Sequence, residues 1–111
     1  MSTRPAPETN GNHSQLAGDV AAQREIDAVR TRIEQIDLQL ISLIAERVQH
    51  GRELGRAKRA LCLPVLDPAR EATVVRRAGE LARTAGLADD DVREIFWHLI
   101  GLSRRAQQED L

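Results

Sequence analysis

The sequence has few of the residues that mark nucleic-acid binding, disulfide scaffolds or membrane spans. Its only aromatic residues are Phe96 and Trp97, which leaves no platform for stacking bases. A net charge of −1 gives no basic surface for nucleic acid. The single cysteine, Cys62, excludes an intrachain disulfide and a cysteine-based metal site. No apolar run is long enough to span a bilayer. We therefore expect a cytoplasmic protein with neither nucleic-acid nor membrane partners.

The first 23 residues differ in composition from the rest of the chain. Residues 1–23 are rich in Pro, Gly, Asn and Ser and show no apolar periodicity, so we predict a disordered N-terminal tail. From Arg24 onward, apolar residues recur at steps of three and four, which is the spacing of an amphipathic helix. Residues 24–111 are therefore predicted to form one helical domain.

The fold class predicted for this domain is all-α, with three helices. The first runs from about Arg24 to Leu61 and ends before Pro64. A second helix starts after Asp67 as the N-cap and closes at Gly86. The third covers residues 89–108, approximately. The predicted inner faces of these two shorter helices carry Val74, Val75, Ala78, Leu81 and Ala82, and Val92, Ile95, Phe96, Leu99 and Ala106.

The long first helix has more apolar surface than its own chain can cover. Its 38 or so residues would extend about 57 Å at 1.5 Å per residue. Two shorter helices cannot cover a stripe of that length. We therefore predict a homodimer in which long helices pack together, with a helical monomer as the alternative.

Two cations interrupt the apolar stripe of the first helix. Arg47 and Lys58 are eleven residues apart, so they share a face and lie about 16 Å from each other. Lys58 is the only lysine among sixteen basic residues. Either both side chains reach solvent along their aliphatic stems, or each faces a buried anion, because an unpaired buried cation is costly.

Further polar residues lie on the inner faces of the shorter helices. Ser103 and Gln107 are four residues apart, as are Asp67 and Glu71. Core hydrogen bonding and helix capping are the simpler explanations for these pairs. Arg30 lies about 25 Å along the helix from Arg47, so only an antiparallel dimer would bring the two arginines to one site.

This set of groups suits a small dianion that carries a hydroxyl. Arginines bind carboxylates with two hydrogen bonds, and a lysine adds a point charge. No nucleophile lies beside a base on a shared face. An enzyme with these groups would act by orienting its substrate and by electrostatic stabilisation.

The sequence resembles the all-helical chorismate mutases of the AroQ type. The resemblance covers residues 26–108 and is carried by five motifs in order, namely VRTRIEQID, LIAER, GRAK, PVLDPARE and LIGLSRRAQ. It implies an intertwined homodimer whose active sites are shared between chains. It also implies conversion of chorismate to prephenate, in phenylalanine and tyrosine biosynthesis, with no cofactor or metal.

The resemblance also implies a role for each candidate site residue. Arg30 matches the arginine that enters the partner's site, and Arg47 matches the one that binds a substrate carboxylate. Lys58 and Gln107 match the groups that face the ether oxygen, so that these two and Arg47 are the catalytic candidates. The remaining substrate-binding candidates are Asp67 and Glu71 for the ring hydroxyl, Arg70 as a basic position, and Ser103.

Two residues depart from the family pattern. Arg104 stands where a smaller apolar residue is expected and would narrow or polarise the pocket wall. His50 lies on the long stripe, and we predict a packing role for it.

Three alternative functions remain at this stage. Isochorismate pyruvate lyases share the helices and basic groups, but the sequence LDPARE favours a mutase. The 4-amino-4-deoxychorismate mutases are expected to differ at DPARE and at the final glutamine, and this chain does not. A non-catalytic helical dimerisation module would need neither Gln107 nor the break between Pro64 and Asp67.

Overall fold

All of the regular secondary structure in the described part of the chain is helical. The computed structural model describes residues 7–109, with side chains from Ser14 onward. Three helices follow in order: α1 (Pro7–Ala60), α2 (Pro68–Thr84) and α3 (Asp89–Glu109). No β-strand occurs within residues 7–109, and the predicted all-α class with three helices is confirmed. None of these helices combines the length and apolarity needed to cross a membrane.

The structure corrects the predicted start of the first helix. α1 begins at Pro7, whereas the sequence predicted a tail over residues 1–23 and a helix from about Arg24. No proline occurs between Pro7 and Pro64, and adding a residue to an existing helix costs little. Residues 1–6 lie outside the described part. The division into a tail and a domain at residue 24 stays a prediction.

The chain divides into two compact units, Met1–Leu40 and Ile41–Leu111. In the first unit, the described residues belong to α1, and residues 14–40 are exposed. Its exposed apolar residues include Ile26, Val29, Ile33 and Ile36, which are the residues of the predicted stripe. The second unit contains the last part of α1 together with α2 and α3.

In the second unit, the start of α2 follows the sequence prediction. The Asp67 side chain accepts a hydrogen bond from the backbone N–H of Arg70 at 3.1 Å, and Pro68 is the first helical residue. The cap satisfies one of the free N–H groups at the helix start, and proline there lacks an N–H that would be unpaired. Asp67 is thereby held at the point where α2 begins.

The end of α2 is a Schellman motif centred on Gly86. This glycine has φ +76°, and its N–H donates to the carbonyl of Arg83 at 3.1 Å. The N–H of Leu87 donates to the carbonyl of Ala82 at 2.8 Å. These two bonds satisfy carbonyls that the helix itself leaves free, and the turn requires a left-handed residue.

Replacing Gly86 with alanine is expected to destabilise the protein by about 1 kcal/mol, because a Cβ is disfavoured at positive φ. No heavy atom lies within 4 Å of the added Cβ, so the cost comes from the backbone alone. Urea unfolding of Gly86→Ala beside wild type measures the difference. Gly86→Asn should lose less, since asparagine tolerates this conformation better; equal losses would contradict the explanation.

The packed core of the second unit lies between α2 and α3 and consists mainly of small residues. Its buried apolar residues are Val75, Ala78, Ala82, Ile100 and Ala106. Gly79 is also buried, and a Cβ there would meet the side chain of Arg93, with Cγ and Cζ at 3.1 Å. The Arg93 side chain of α3 thus fills the space beside Gly79 of α2.

Two residues predicted for the inner faces are exposed instead. Leu81 is 58% exposed and Ile95 is 56% exposed. Each lies on its helix roughly 100° from the centre of the buried face, at 100° per residue. Small residues bring α2 and α3 together along a narrow line, so side chains on its flanks stay uncovered within this chain.

Candidate active site

A pocket of about 510 Å³ opens within the unit of residues 41–111. The last part of α1, the connection to α2, the start of α2 and the end of α3 all contribute to its wall. Seven of the eight predicted site residues line it: Arg47, Lys58, Asp67, Arg70, Glu71, Ser103 and Gln107. The eighth, Arg30, is exposed and belongs to the unit of residues 1–40.

The two cations that interrupt the α1 stripe both line the pocket and are half-buried. Arg47 donates from Nη1 to the Ser103 hydroxyl at 3.4 Å, and its guanidinium lies 6.0 Å from the centre of the Phe96 ring. This places the guanidinium against α3 rather than in bulk solvent. Lys58 lies in the last turn of α1. Both charges therefore face the same cavity.

The Gln107 amide is held in place by the α1 backbone. Its Nε2 donates to the carbonyl oxygen of Gly51 at 2.8 Å. The amide nitrogen carries two N–H groups, so this bond leaves one donor unused. A Cβ at Gly51 would lie 3.4 Å from Nε2, and a Cβ at Gly55 would lie 3.4 Å from Cγ of Gln107. The two glycines thus leave room for this side chain.

Acidic side chains lie at the α2 end of the pocket. Asp67 is the N-cap, and Glu71 lies one turn later in the first turn of α2. Arg104 of α3 binds Glu71 through two hydrogen bonds, from Nε to Oε2 at 2.6 Å and from Nη2 to Oε1. The Glu71 side chain is 15% exposed. A fixed carboxylate therefore faces the cavity beside an arginine.

The pocket carries more positive than negative charge. Its charged lining consists of five cations and two carboxylates, namely Arg47, Lys58, Arg59, Arg70 and Arg104 against Asp67 and Glu71. The hydrogen bond to Glu71 holds the pKa of Arg104 above its usual value. Such an excess favours a ligand with two negative charges.

His50 lines the pocket and is exposed within this chain, and its packing role stays a prediction. Its Nδ1 is 3.0 Å from Oε2 of Glu53, and Nε2 is 3.7 Å from Oε1 of Glu46. The hydrogen bond to Glu53 and its charge raise the pKa of His50. Both contacts lie on the surface of α1, one turn before and one turn after the ring.

Several lining residues were not assigned a role from the sequence. Arg59 lines the pocket beside Lys58, and its Nη1 lies 3.5 Å from where a Cβ at Gly55 would be. The two glycines four residues apart in α1 were a usable signal, since glycine weakens a helix unless its space is needed. Arg104 and Glu71 were both singled out from the sequence, but the ion pair between them was not predicted. Among the described residues, no group of three or more His, Cys, Asp or Glu side chains is placed to hold a metal ion.

Comparison with known proteins places this chain in a family. Residues 29–108 match the family described as chorismate mutase type II. The chain belongs to the chorismate mutase type II family. The matched range includes all eight predicted site residues, from Arg30 to Gln107, and it confirms the resemblance seen in the sequence.

The chain is similar to three individual relatives, one of which is named a chorismate mutase. A chorismate mutase of Methanocaldococcus jannaschii is 29% identical over 83 residues, which cover 75% of this chain and 84% of the relative. The T-protein of Enterobacter agglomerans is 30% identical over 72 residues, 65% of this chain and 19% of the relative. A 3-dehydroquinate dehydratase of Pyrobaculum aerophilum is 38% identical over 55 residues, 50% of this chain and 18% of the relative. The chain thus matches less than a fifth of the length of the last two.

Proposed function

We propose that this protein converts chorismate to prephenate, and that the pocket of residues 41–111 is its active site. The observation that carries the proposal is the pocket itself. It gathers three kinds of group around one cavity: cations for carboxylates, acids for a hydroxyl, and an amide with a free donor. Chorismate has two carboxylates, a ring hydroxyl and an ether oxygen, and each kind of group has a counterpart on this ligand.

The reaction is an intramolecular rearrangement. The ether C–O bond breaks while a C–C bond forms between the enolpyruvyl arm and the ring, so no atom is gained or lost. Negative charge grows on the ether oxygen as its bond breaks. Lys58 and the unused N–H of Gln107 are the donors assigned to that oxygen, and they stabilise it more in the transition state than in the ground state.

The other lining residues orient the substrate. Arg47 is assigned to a carboxylate, a role for which its contact with Ser103 orients the guanidinium. Arg70 adds positive charge at the start of α2. Asp67 and Glu71 accept hydrogen bonds from the ring hydroxyl of the substrate. Ser103 contributes a hydroxyl of its own to the pocket. The reactive geometry, with the enolpyruvyl arm held over the ring, restricts the conformational freedom of the substrate. When the pocket imposes this geometry on binding, the entropy cost no longer adds to the reaction barrier.

The active assembly proposed here is a cytoplasmic homodimer in which Arg30 of each chain serves the pocket of its partner. The support is the row of exposed apolar residues on α1, which includes Ile26, Ile33, Ile36 and Leu40. A row of this length on one face is too large to stay in water without a partner. A second copy of the same face is self-complementary in a two-fold dimer.

Sedimentation equilibrium at micromolar concentration is expected to give twice the chain mass, because the α1 stripe is covered only by association. Ile33→Glu, in the middle of the stripe, should shift the protein towards monomer or unfold it, since a charge there would be buried without a partner. Leu16→Glu, on an exposed apolar residue outside the predicted stripe, is the matched control. A folded and active monomer would contradict the shared-site assembly.

A direct assay tests the activity. Purified protein mixed with chorismate should lower the absorbance of chorismate. Prephenate is an isomer of chorismate with the same mass, so it is identified as the product by its acid-catalysed conversion. Isochorismate is supplied in a second reaction, and released pyruvate is measured. Loss of chorismate without pyruvate supports the mutase. Pyruvate from isochorismate with chorismate untouched would replace the proposal with a lyase.

A further inference from the structure

The pairing of Arg104 with Glu71 bears on which substituent the pocket accepts on the substrate ring. The two side chains come from different helices and lie 33 positions apart in the chain. Both line the pocket. Glu71 is mostly buried, whereas Arg104 is about half exposed, so the arginine covers the carboxylate from the solvent side.

The geometry of the pair leaves Glu71 able to accept a ligand hydroxyl. Arg104 uses one N–H for each carboxylate oxygen, Nε for Oε2 and Nη2 for Oε1. Each carboxylate oxygen has two lone-pair sites, so each keeps one acceptor position. A forked contact also fixes the plane of the carboxylate. Arg104 therefore orients the Glu71 carboxylate and leaves it acceptor positions for a ligand hydroxyl.

The pair also changes the local charge. An unpaired Glu71 would place a negative charge beside a ligand that itself carries two, and it would attract a cationic substituent on that ligand. With Arg104 bound, the pair is neutral. Asp67 remains as a second acid at this end of the pocket, where its side chain accepts a hydrogen bond from the backbone N–H of Arg70.

We propose that Arg104 is a specificity-determining residue. By neutralising and orienting Glu71, it makes this end of the pocket select a hydroxyl over an ammonium group at the same ring position. The inference rests on the proposed function, because it assumes that Glu71 receives the ring substituent of chorismate. Arg104 acts through Glu71 and is not assigned any contact with the reacting atoms.

The test compares two ligands on matched variants. The KM for chorismate and the inhibition constant of 4-amino-4-deoxychorismate, which carries the amino group, are measured for wild type, Arg104→Leu, Arg104→Gln and Arg105→Leu. Arg105 is the control, since it is an exposed arginine on the same helix that does not line the pocket. Arg104→Leu should raise KM and lower the inhibition constant, so that their ratio shifts by about tenfold towards the amino ligand.

Arg104→Gln, which keeps one donor to Glu71 without the charge, should shift the ratio in the same direction by less. Glu71→Gln combined with Arg104→Leu should abolish the shift, because no carboxylate is then released. This double variant separates the charge effect from a loss of packing, and circular dichroism checks that each variant is folded.

Three results would overturn the inference. These are equal changes in KM and in the inhibition constant, a shift that persists in the double variant, or the same shift in Arg105→Leu. If Arg104→Leu does not fold, Arg104→Gln takes its place, alone and combined with Glu71→Gln. The same ratio of KM to the inhibition constant then tests the inference. A folded wild type that leaves chorismate unchanged would overturn the proposed function and the inference together, whereas active enzyme with an unshifted ratio would overturn the inference alone.

Discussion

Arg30→Ala and Arg47→Ala are each expected to be nearly inactive as homodimers, yet a refolded mixture of the two should recover about a quarter of wild-type activity. Each substitution removes one arginine assigned to a substrate carboxylate, and a charged group bound to an arginine pair loses much of its binding energy without it. If Arg30 serves the partner's pocket, every mixed dimer has one pocket with both defects and one intact pocket. Random pairing makes about half of the dimers mixed, and half of their pockets are intact.

The measurement is chorismate turnover after co-refolding, with mixed dimers verified by native mass spectrometry. Arg76→Ala, at an exposed position on α2 outside the pocket, replaces Arg30→Ala in the control mixture. That mixture should show about half of the wild-type activity, because half of all pockets then carry Arg47. Activity that stays at the single-variant level despite verified mixing would rule out a site shared between chains.

Lys58→Ala should lower kcat by about 10²–10³-fold, which is the typical loss when one donor to a developing oxyanion is removed. The effect on kcat separates this residue from groups that only bind the substrate, since those raise KM at unchanged kcat. Lys58→Ala also removes a carboxylate contact, so KM should rise as well. Stopped assays at saturating chorismate give kcat for Lys58→Ala beside the Arg76→Ala control. A change confined to KM would remove Lys58 from the catalytic step.

Local signals in the sequence predicted the helix ends in the second unit well. Asp67 followed by Pro68 marks the start of α2, and Gly86 followed by Leu87 marks its end, because both caps depend on residues within one turn. The start of α1 at Pro7 was missed for the opposite reason. Residues 8–23 contain no proline that would interrupt a helix. They also lack the apolar periodicity from which a helix is predicted.

The sequence predicted which residues share one pocket better than it predicted the contacts between them. Period and spacing, together with the family motifs, selected eight candidate residues, and seven of them line the pocket. The bonds that orient them join positions far apart in the chain, from Gln107 to Gly51 and from Arg104 to Glu71. No local pattern encodes which arginine meets which acid across two helices. That information exists only once the helices are packed.

The narrow contact between α2 and α3 has a consequence for any measurement at high dilution. The described chain has five buried apolar residues, and three of them are alanines. They are Val75, Ala78, Ala82, Ile100 and Ala106. Apolar burial of this extent supplies little of the free energy that folding requires. Under the proposed assembly, the rest comes from the partner chain, so folding and association form one equilibrium. Its melting temperature then rises with protein concentration, and an enzyme diluted to nanomolar levels for kinetics loses activity because its chains separate and unfold.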